Sequence, residues 1–250
     1  MTGGNRSGGN SIPALAIEGL RAGYGRGGDI VRGIDLRQDP ETILAVIGPN
    51  GSGKSSFVKT LAGMLDVRAG SVRVTGHDVT HEAPARRVSA GLAYVPQEAN
   101  VFPNLTIGEN FKLATEFLRG RAGVGPEQRE RVLSLFPELA GRFRARAGDL
   151  SGGQRQMLAF ASALLANPEV LLLDEPSAGL SPKIVDQTME AVLRVREAGV
   201  TVLLVEQNVT AALRIADEAV VLVAGQLSLR ARAADLRAAD LGELFFAKVV

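Results

Sequence analysis

The run TILAVI at residues 42–47, followed by Gly48-Pro49-Asn50-Gly51-Ser52-Gly53-Lys54-Ser55-Ser56, decides the fold. It joins a short apolar β-type run to the pattern G-x-x-x-x-G-K-S and then to a helical stretch, the arrangement of a phosphate-binding loop. Glycines let the backbone wrap closely and turn its N–H groups inward, and the helix that starts near Gly53 adds the positive end of its dipole. Lys54 is placed to bridge the β- and γ-phosphates of a nucleoside triphosphate, and the Ser55 hydroxyl to ligate Mg²⁺. Gly48 through Ser56 are therefore the expected binding loop for ATP and Mg²⁺. A Gly-rich turn before an ordinary helix is the competing reading, and the strand and helix on either side weigh against it.

On both sides of this loop, short β-rich runs alternate with helical patterns. ALAIEGL (14–20), TILAVIG (42–48), SVRV (71–74), GLAYV (91–95), VLLLD (170–174), TVLLVE (201–206) and AVVLV (219–223) are the candidate strands. Several are apolar on both faces, as in strands buried within a mostly parallel sheet. Helices are expected after Gly53, from near Thr106, Pro126, Ser151 and Pro182, and over 209–216. Strand followed by helix, repeated, predicts an α/β fold. Between Gln97 and Asp149 the strand-like runs stop and two polar, Arg-rich helical stretches take over, which predicts an α-helical lobe at about 97–149 inserted in the α/β core.

The run VLLLDEP at 170–176 supplies the acids. A buried strand that delivers Asp174 and Glu175 at its C-terminal end puts them where open α/β sheets bind ligands. Asp174 is expected to hold Mg²⁺, directly or through water, and Glu175 to act as general base on the attacking water. Alone, an apolar strand ending in Asp-Glu reads more simply as a solvated turn; the Lys54 loop reverses that weighting.

Composition limits the other possibilities. The 250 residues are 46% hydrophobic, enough for one substantial core, and Lys plus Arg (28) nearly cancel Asp plus Glu (27), which argues against nucleic acid as a partner. Without cysteine there is no disulfide framework, and the only histidines, His77 and His81, make a histidine metal site or a Ser-His-Asp triad a poor expectation. Residues 1–11 read as a disordered lead-in without a signal peptide. The most apolar stretches fall well short of the ~18 residues of a membrane span, so a membrane role requires another chain as anchor.

Leu150-Ser151-Gly152-Gly153-Gln154 is the signature of ABC transporter ATPases, and on it the chain resembles that family over nearly all of residues 14–225. The resemblance implies a P-loop NTPase core with a mostly parallel sheet, the inserted helical lobe and an N-terminal β region. It implies an ATPase domain over 12–230, and the Ala/Leu/Arg spacing from Ala231 predicts a C-terminal amphipathic helix and apolar tail at 231–250. In the family the signature meets ATP bound by the opposite subunit, so Ser151, Gly152, Gly153 and Gln154 are expected to complete the partner's site in a head-to-tail pair with an identical or related chain. Tyr24 matches the aromatic that stacks on adenine, and Gln97 the glutamine that reaches Mg²⁺ and links core to lobe. Residues 177–182 occupy the loop through which the two sites communicate.

One position departs from the family pattern. Where a histidine usually contacts the γ-phosphate, this chain has Glu206-Gln207-Asn208, and Gln207 can donate a hydrogen bond but cannot carry imidazolium charge. The strings LLVEQN, LSGGQRQMLA and DEPSAGLSP look like the ATPases of branched-chain amino-acid importers of the LivF type, and the urea and short-chain amide importer subunits share this look. The resemblance then implies attachment to the inner, cytoplasmic face of the membrane through a separate permease, with a solute-binding protein in the full system. A soluble ABC ATPase acting on nucleic acid or ribosomes is disfavoured by the lack of a second cassette, long coiled coil or basic insertion. A cassette that binds ATP without hydrolysing it is disfavoured by Lys54, Asp174 and Glu175. Residues 98–110, with Val101, Phe102 and Leu105, are read either as a permease-docking cleft or as local core, and Phe245 and Phe246 either pack on the core or serve a subunit contact.

Overall fold

The structure, a computed structural model, describes residues 12–98, 100–116 and 125–237. The expected lead-in and the tail carrying Phe245 and Phe246 lie outside the described residues. In chain order the elements are β1 (Leu15–Ala22), β2 (Val31–Gln38), β3 (Ile43–Ile47), α1 (Lys54–Leu61), β4 (Val67–Val74), β5 (His77–Asp78), α2 (Pro84–Ser89) and β6 (Leu92–Val95). They continue with α3 (Ile107–Glu116), α4 (Pro126–Leu135), α5 (Gly152–Leu164), β7 (Val170–Asp174), α6 (Pro182–Glu197), β8 (Thr201–Val205), α7 (Val209–Ile215), β9 (Glu218–Val223), β10 (Gln226–Arg232) and α8 (Ala233–Arg237). None of the helices is long and apolar enough to cross a membrane, among the described residues.

Two sheets form. An antiparallel one has the order β2-β1-β4-β5, and a larger one runs β10-β9-β3-β8-β7-β6, parallel except where β10 pairs antiparallel with β9. Strands β3, β7 and β8 are buried at every position, and their period-two alternation feeds two separate cores. Ile43, Ala45 and Ile47 pack with α5, α6 and α7, whereas Leu44 and Val46 pack with α1 and the antiparallel sheet. The parallel sheet is thus a middle layer covered on both faces, which is why its strands read as continuous apolar runs.

Helix α1 is only eight residues long, too short to persist alone. Burial of Phe57, Val58 and Leu61, each contributing about 1.5–3 kcal/mol, holds it against β1 and the sheet. Its C-terminal end is fixed by buried Arg87, whose guanidinium donates to the carbonyls of Thr60 and Leu61. Helix α3 starts at a capping box in which Glu109 N–H donates to Thr106 Oγ1 and Thr106 N–H to Glu109 Oε2. Pro126 opens α4, as its fixed φ favours.

Four elements depart from the expectations above. Strands β2 and β10, the two-residue β5 and the short α2 are not legible as apolar runs: β2 alternates buried and exposed residues, and β10 is a half-solvated edge. The helix expected from Ala231 begins at Ala233, because Ala231 and Arg232 still pair with Ala219 and Glu218 in the sheet. In 98–110, Phe102 is 58% exposed while Val101 packs on the core, so the two readings of that segment divide between neighbouring residues.

Candidate active site

The parallel sheet brings the motifs to one edge. Register pairs Val46 with Val205, Asp174 with Val205, and Val95 with Leu173, so the chain leaves β3, β8, β7 and β6 side by side. Residues 48–56, 206–208, 174–175 and 96–97 therefore follow from adjacent strand ends, with the turn after β8 between the phosphate loop and the carboxylate pair.

The loop crown of Pro49, Asn50 and Gly51 is exposed, while Gly48, Ser52 and Lys54 are buried and Gly53, Ser55 and Ser56 half-buried. Gly48 lies so close to the backbone of Leu222 that a Cβ there would come within 2.2 Å of its carbonyl oxygen, so no other residue fits without moving the loop. Behind the loop, the turn between β9 and β10 is a prop: Gly225 N–H donates to Ser52 O and Arg32 N–H to Gly225 O. Lys54 folds back so that Nζ donates to Gly48 O (3.0 Å) and Pro49 O (3.3 Å) and lies 3.7 Å from Glu175 Oε1.

Ser55 Oγ donates to Asp174 Oδ1 at 3.2 Å, joining the two expected metal ligands across 119 residues of sequence. The other oxygen, Oδ2, accepts from Tyr94 Oη at 3.2 Å. Burial pushes the Asp174 carboxyl up from its ordinary range, and the hydrogen bonds from Ser55 and Tyr94 pull part of that back. Burial and the neighbouring Asp174 charge likewise push the Tyr94 phenol up, so it stays a donor at neutral pH. The pair is made of hard oxygen donors that leave most of a coordination sphere open, which fits Mg²⁺ with its retained waters. Glu175 sits at φ 47°, a conformation rare for a non-glycine residue, and is held there by its N–H bond to Val205 O.

Glu206 is 1% exposed at the end of β8 and accepts hydrogen bonds from Ser177 N, Ser177 Oγ, Gln207 N and Asn208 N. Burial pushes its carboxyl up, and these donors pull only part of that back. Gln207 is exposed beside it, and Asn208 caps α7 by accepting from Ala211 N–H. Tyr94 and Glu206 are the two site residues that sequence reading missed. Each depends on a partner distant in sequence, Asp174 on β7 for Tyr94 and Ser177 in the loop after β7 for Glu206, and the one local hint was a carboxylate closing an otherwise apolar run.

Ser151 caps α5 through a reciprocal box: its Oγ accepts from Gln154 N–H while Gln154 Oε1 accepts from Ser151 N–H. Gly153 lets α5 approach α6, since a Cβ there would meet Ile184 Cγ2 at 2.7 Å. Among the described residues, no hydrogen bond or ion pair joins Ser151, Gly152, Gly153 or Gln154 to the phosphate loop or to Asp174 and Glu175 of the same chain. Tyr24 is 52% exposed in a turn after β1 that Arg68 organises by donating to Gly25 O and Gly27 O. Ile30, where that turn ends, packs against Gly53. Gln97 is exposed just past β6.

An ammonium, a hydroxyl–carboxylate pair and a second carboxylate on a strained turn are suited to holding a polyphosphate and polarising a water. Comparison with known proteins bears on the family. Residues 31–178 match the ABC transporter family. A probable branched-chain amino acid transport ATP-binding protein LivF from Archaeoglobus fulgidus is 42% identical over 181 residues, 71% of this chain and 74% of that protein. A ribose import ATP-binding protein RbsA from Yersinia pestis is 31% identical over 192 residues, 75% of this chain but only 37% of that protein's own length. A crystal structure of an ABC-transporter ATP-binding cassette in its ADP conformation shares the fold with a TM-score of 0.82 at 24% identity, over 95% of this chain and 100% of that one. With a sequence match running from β2 past the end of β7, on a fold shared with a solved cassette, the chain belongs to the ABC transporter family as an ATP-hydrolysing cassette.

Proposed function

We propose that this cassette energises import of branched-chain amino acids, working as one of two paired ATPase subunits attached to the inner face of the membrane through a separate permease that is fed by a solute-binding protein. The observation that carries the catalytic reading is the convergence of Lys54 Nζ, the Ser55–Asp174 pair and Glu175 at one sheet edge. The cargo reading is supported by the likeness to LivF, and the likeness to RbsA makes it the first point to test.

In this reading the N–H groups of residues 48–56 and the Lys54 ammonium bind the β- and γ-phosphates of ATP, and Tyr24 stacks on the adenine. Ser55 and Asp174, with Gln97, hold Mg²⁺, which when bound neutralises phosphate charge. Glu175 takes the proton of the attacking water, and Gln207 donates a hydrogen bond to the γ-phosphate. Ser151 and Gly153 face the γ-phosphate held by the second subunit, in keeping with a signature that, among the described residues, makes no hydrogen bond or ion pair to its own chain's phosphate loop or carboxylates. Phe102 stands out beside Asn110, which clamps its backbone N–H and C=O, and we assign it to the permease contact.

Gln207→Ala should lower kcat by about tenfold, the worth of one phosphate hydrogen bond, whereas Gln207→His should stay within a few-fold of wild type. Steady-state phosphate release measures both, and two variants indistinguishable from wild type would remove Gln207 from the site. For the cargo, the cassette is placed in proteoliposomes with its permease and solute-binding protein. ATP-driven uptake of labelled leucine, isoleucine and valine is expected. Uptake of urea, acetamide or ribose in their place would overturn the assignment while leaving the ATPase intact.

A further inference from the structure

Glu206 is a buried carboxylate outside the expected catalytic set. A carboxylate removed from water is strongly disfavoured unless its oxygens are fully hydrogen-bonded. Here four donors converge on it: Ser177 N–H at 2.9 Å on Oε1, and Ser177 O–H at 2.9 Å, Gln207 N–H at 3.1 Å and Asn208 N–H at 3.2 Å on Oε2. Among the described residues no cation pairs with it. Three of the four are backbone N–H groups that can only donate, so Glu206 serves as the acceptor at both oxygens.

The donors come from two segments. Ser177 lies two residues after Glu175, in the loop that leads to α6; Gln207 and Asn208 form the turn into α7. The backbone N–H of Glu206 is itself fixed to Val46 O, at the end of the strand that carries the phosphate loop. One side chain therefore ties together the strained turn holding Glu175 and the turn presenting Gln207, and its own backbone is anchored to the third strand of the site.

We infer that Glu206 is a positioning residue for hydrolysis, whose carboxylate locks the 175–181 loop and the Gln207 turn into one unit so that base and γ-phosphate donor are set together. The inference rests on the site reading proposed above. Glu206→Gln keeps the size and one acceptor oxygen but removes the charge and turns an NH₂ toward at least one of the donors, which weakens the link between the two turns. Small displacements of catalytic groups lower turnover strongly, so kcat should fall on the order of tenfold to a hundredfold. The affinity for ATP, read by equilibrium binding of a fluorescent analogue, should stay within about twofold, because the phosphate loop is untouched.

Ser177→Ala removes a single donor, provides a milder variant should Glu206→Gln fold poorly, and should lower kcat by a few-fold. Combined with Glu206→Gln it should cost little more than Glu206→Gln alone, since both remove one shared contact. A purely structural carboxylate would instead lower the thermal midpoint and leave kcat per folded molecule unchanged below it, and that result overturns the inference. So does full additivity of the two variants, or a kcat of Ser177→Ala equal to wild type. Glu175→Gln, assayed beside them, separates the outcomes: if it keeps full turnover, the site reading itself fails.

Discussion

Replacing Glu175 by Gln should cut ATP turnover by about two to three orders of magnitude while leaving ATP affinity within about threefold. The substitution is close to isosteric, so the turn at φ 47° and the N–H bond to Val205 O survive it. What goes is the proton acceptor, and with it the negative partner 3.7 Å from Lys54 Nζ. A side chain only 13% exposed has little bulk water around it to take over as base. Because ATP reaches the phosphate loop through backbone N–H groups and Lys54, binding does not depend on this carboxylate. Single-turnover phosphate release paired with equilibrium nucleotide binding makes the distinction. Retained turnover would place the base elsewhere and withdraw the assignment of Glu175.

Lys54→Ala should act on the other half of the cycle, weakening ATP binding by at least about a hundredfold and taking turnover below detection. The Lys54 side chain is 4% exposed and its ammonium already donates to the Gly48 and Pro49 carbonyls, a slot in which two phosphate oxygens can take their place. Lys54→Arg should not rescue it, since a planar fork does not fit a slot shaped for a point charge. The nucleotide-free fold should keep most of its stability, because Lys54 belongs to neither apolar core, although the Gly48 and Pro49 carbonyls and Glu175 lose their cation. A thermal midpoint within a few degrees of wild type, with calorimetric loss of ATP binding, is the expected pair of results. Undiminished ATP affinity would show that the phosphates are held by another group.

These two effects rest on residues legible in the sequence, and the reason is physical. The phosphate loop and the Asp174-Glu175 strand end are local patterns whose chemistry needs adjacent residue types, so spacing alone carries them. Strands β3, β7 and β8 were readable because a sheet covered on both faces demands apolar residues at every position. Strands β2 and β10 obey a different rule: the burial of VRGIDLRQ alternates, and Gly33 and three charged residues mask it in a search for apolar runs. The same limit hid Tyr94 and Glu206. Tyr94 matters because Asp174 lies across the β6–β7 pair, and Glu206 because Ser177 lies 29 residues earlier in the chain. Gly225 props the phosphate loop from a hairpin that sequence reading did not place. Contacts made by pairing of distant strands leave no mark on the local pattern of either one.

The placement of β3 has a consequence for synthesis of the protein. Its two neighbours in the sheet are β8 and β9, so Ile43 waits for Val202 and Leu44 for Glu218. At translation rates of about 5–20 residues per second, the strand that carries the phosphate loop emerges roughly 8–35 s before either partner. During that interval an all-apolar strand and its unpaired edges stand open to other chains. The sheet around the phosphate loop therefore cannot be completed until residues near 220 have left the ribosome, and a chain stalled before that point lacks one or both neighbours of the strand that carries the loop.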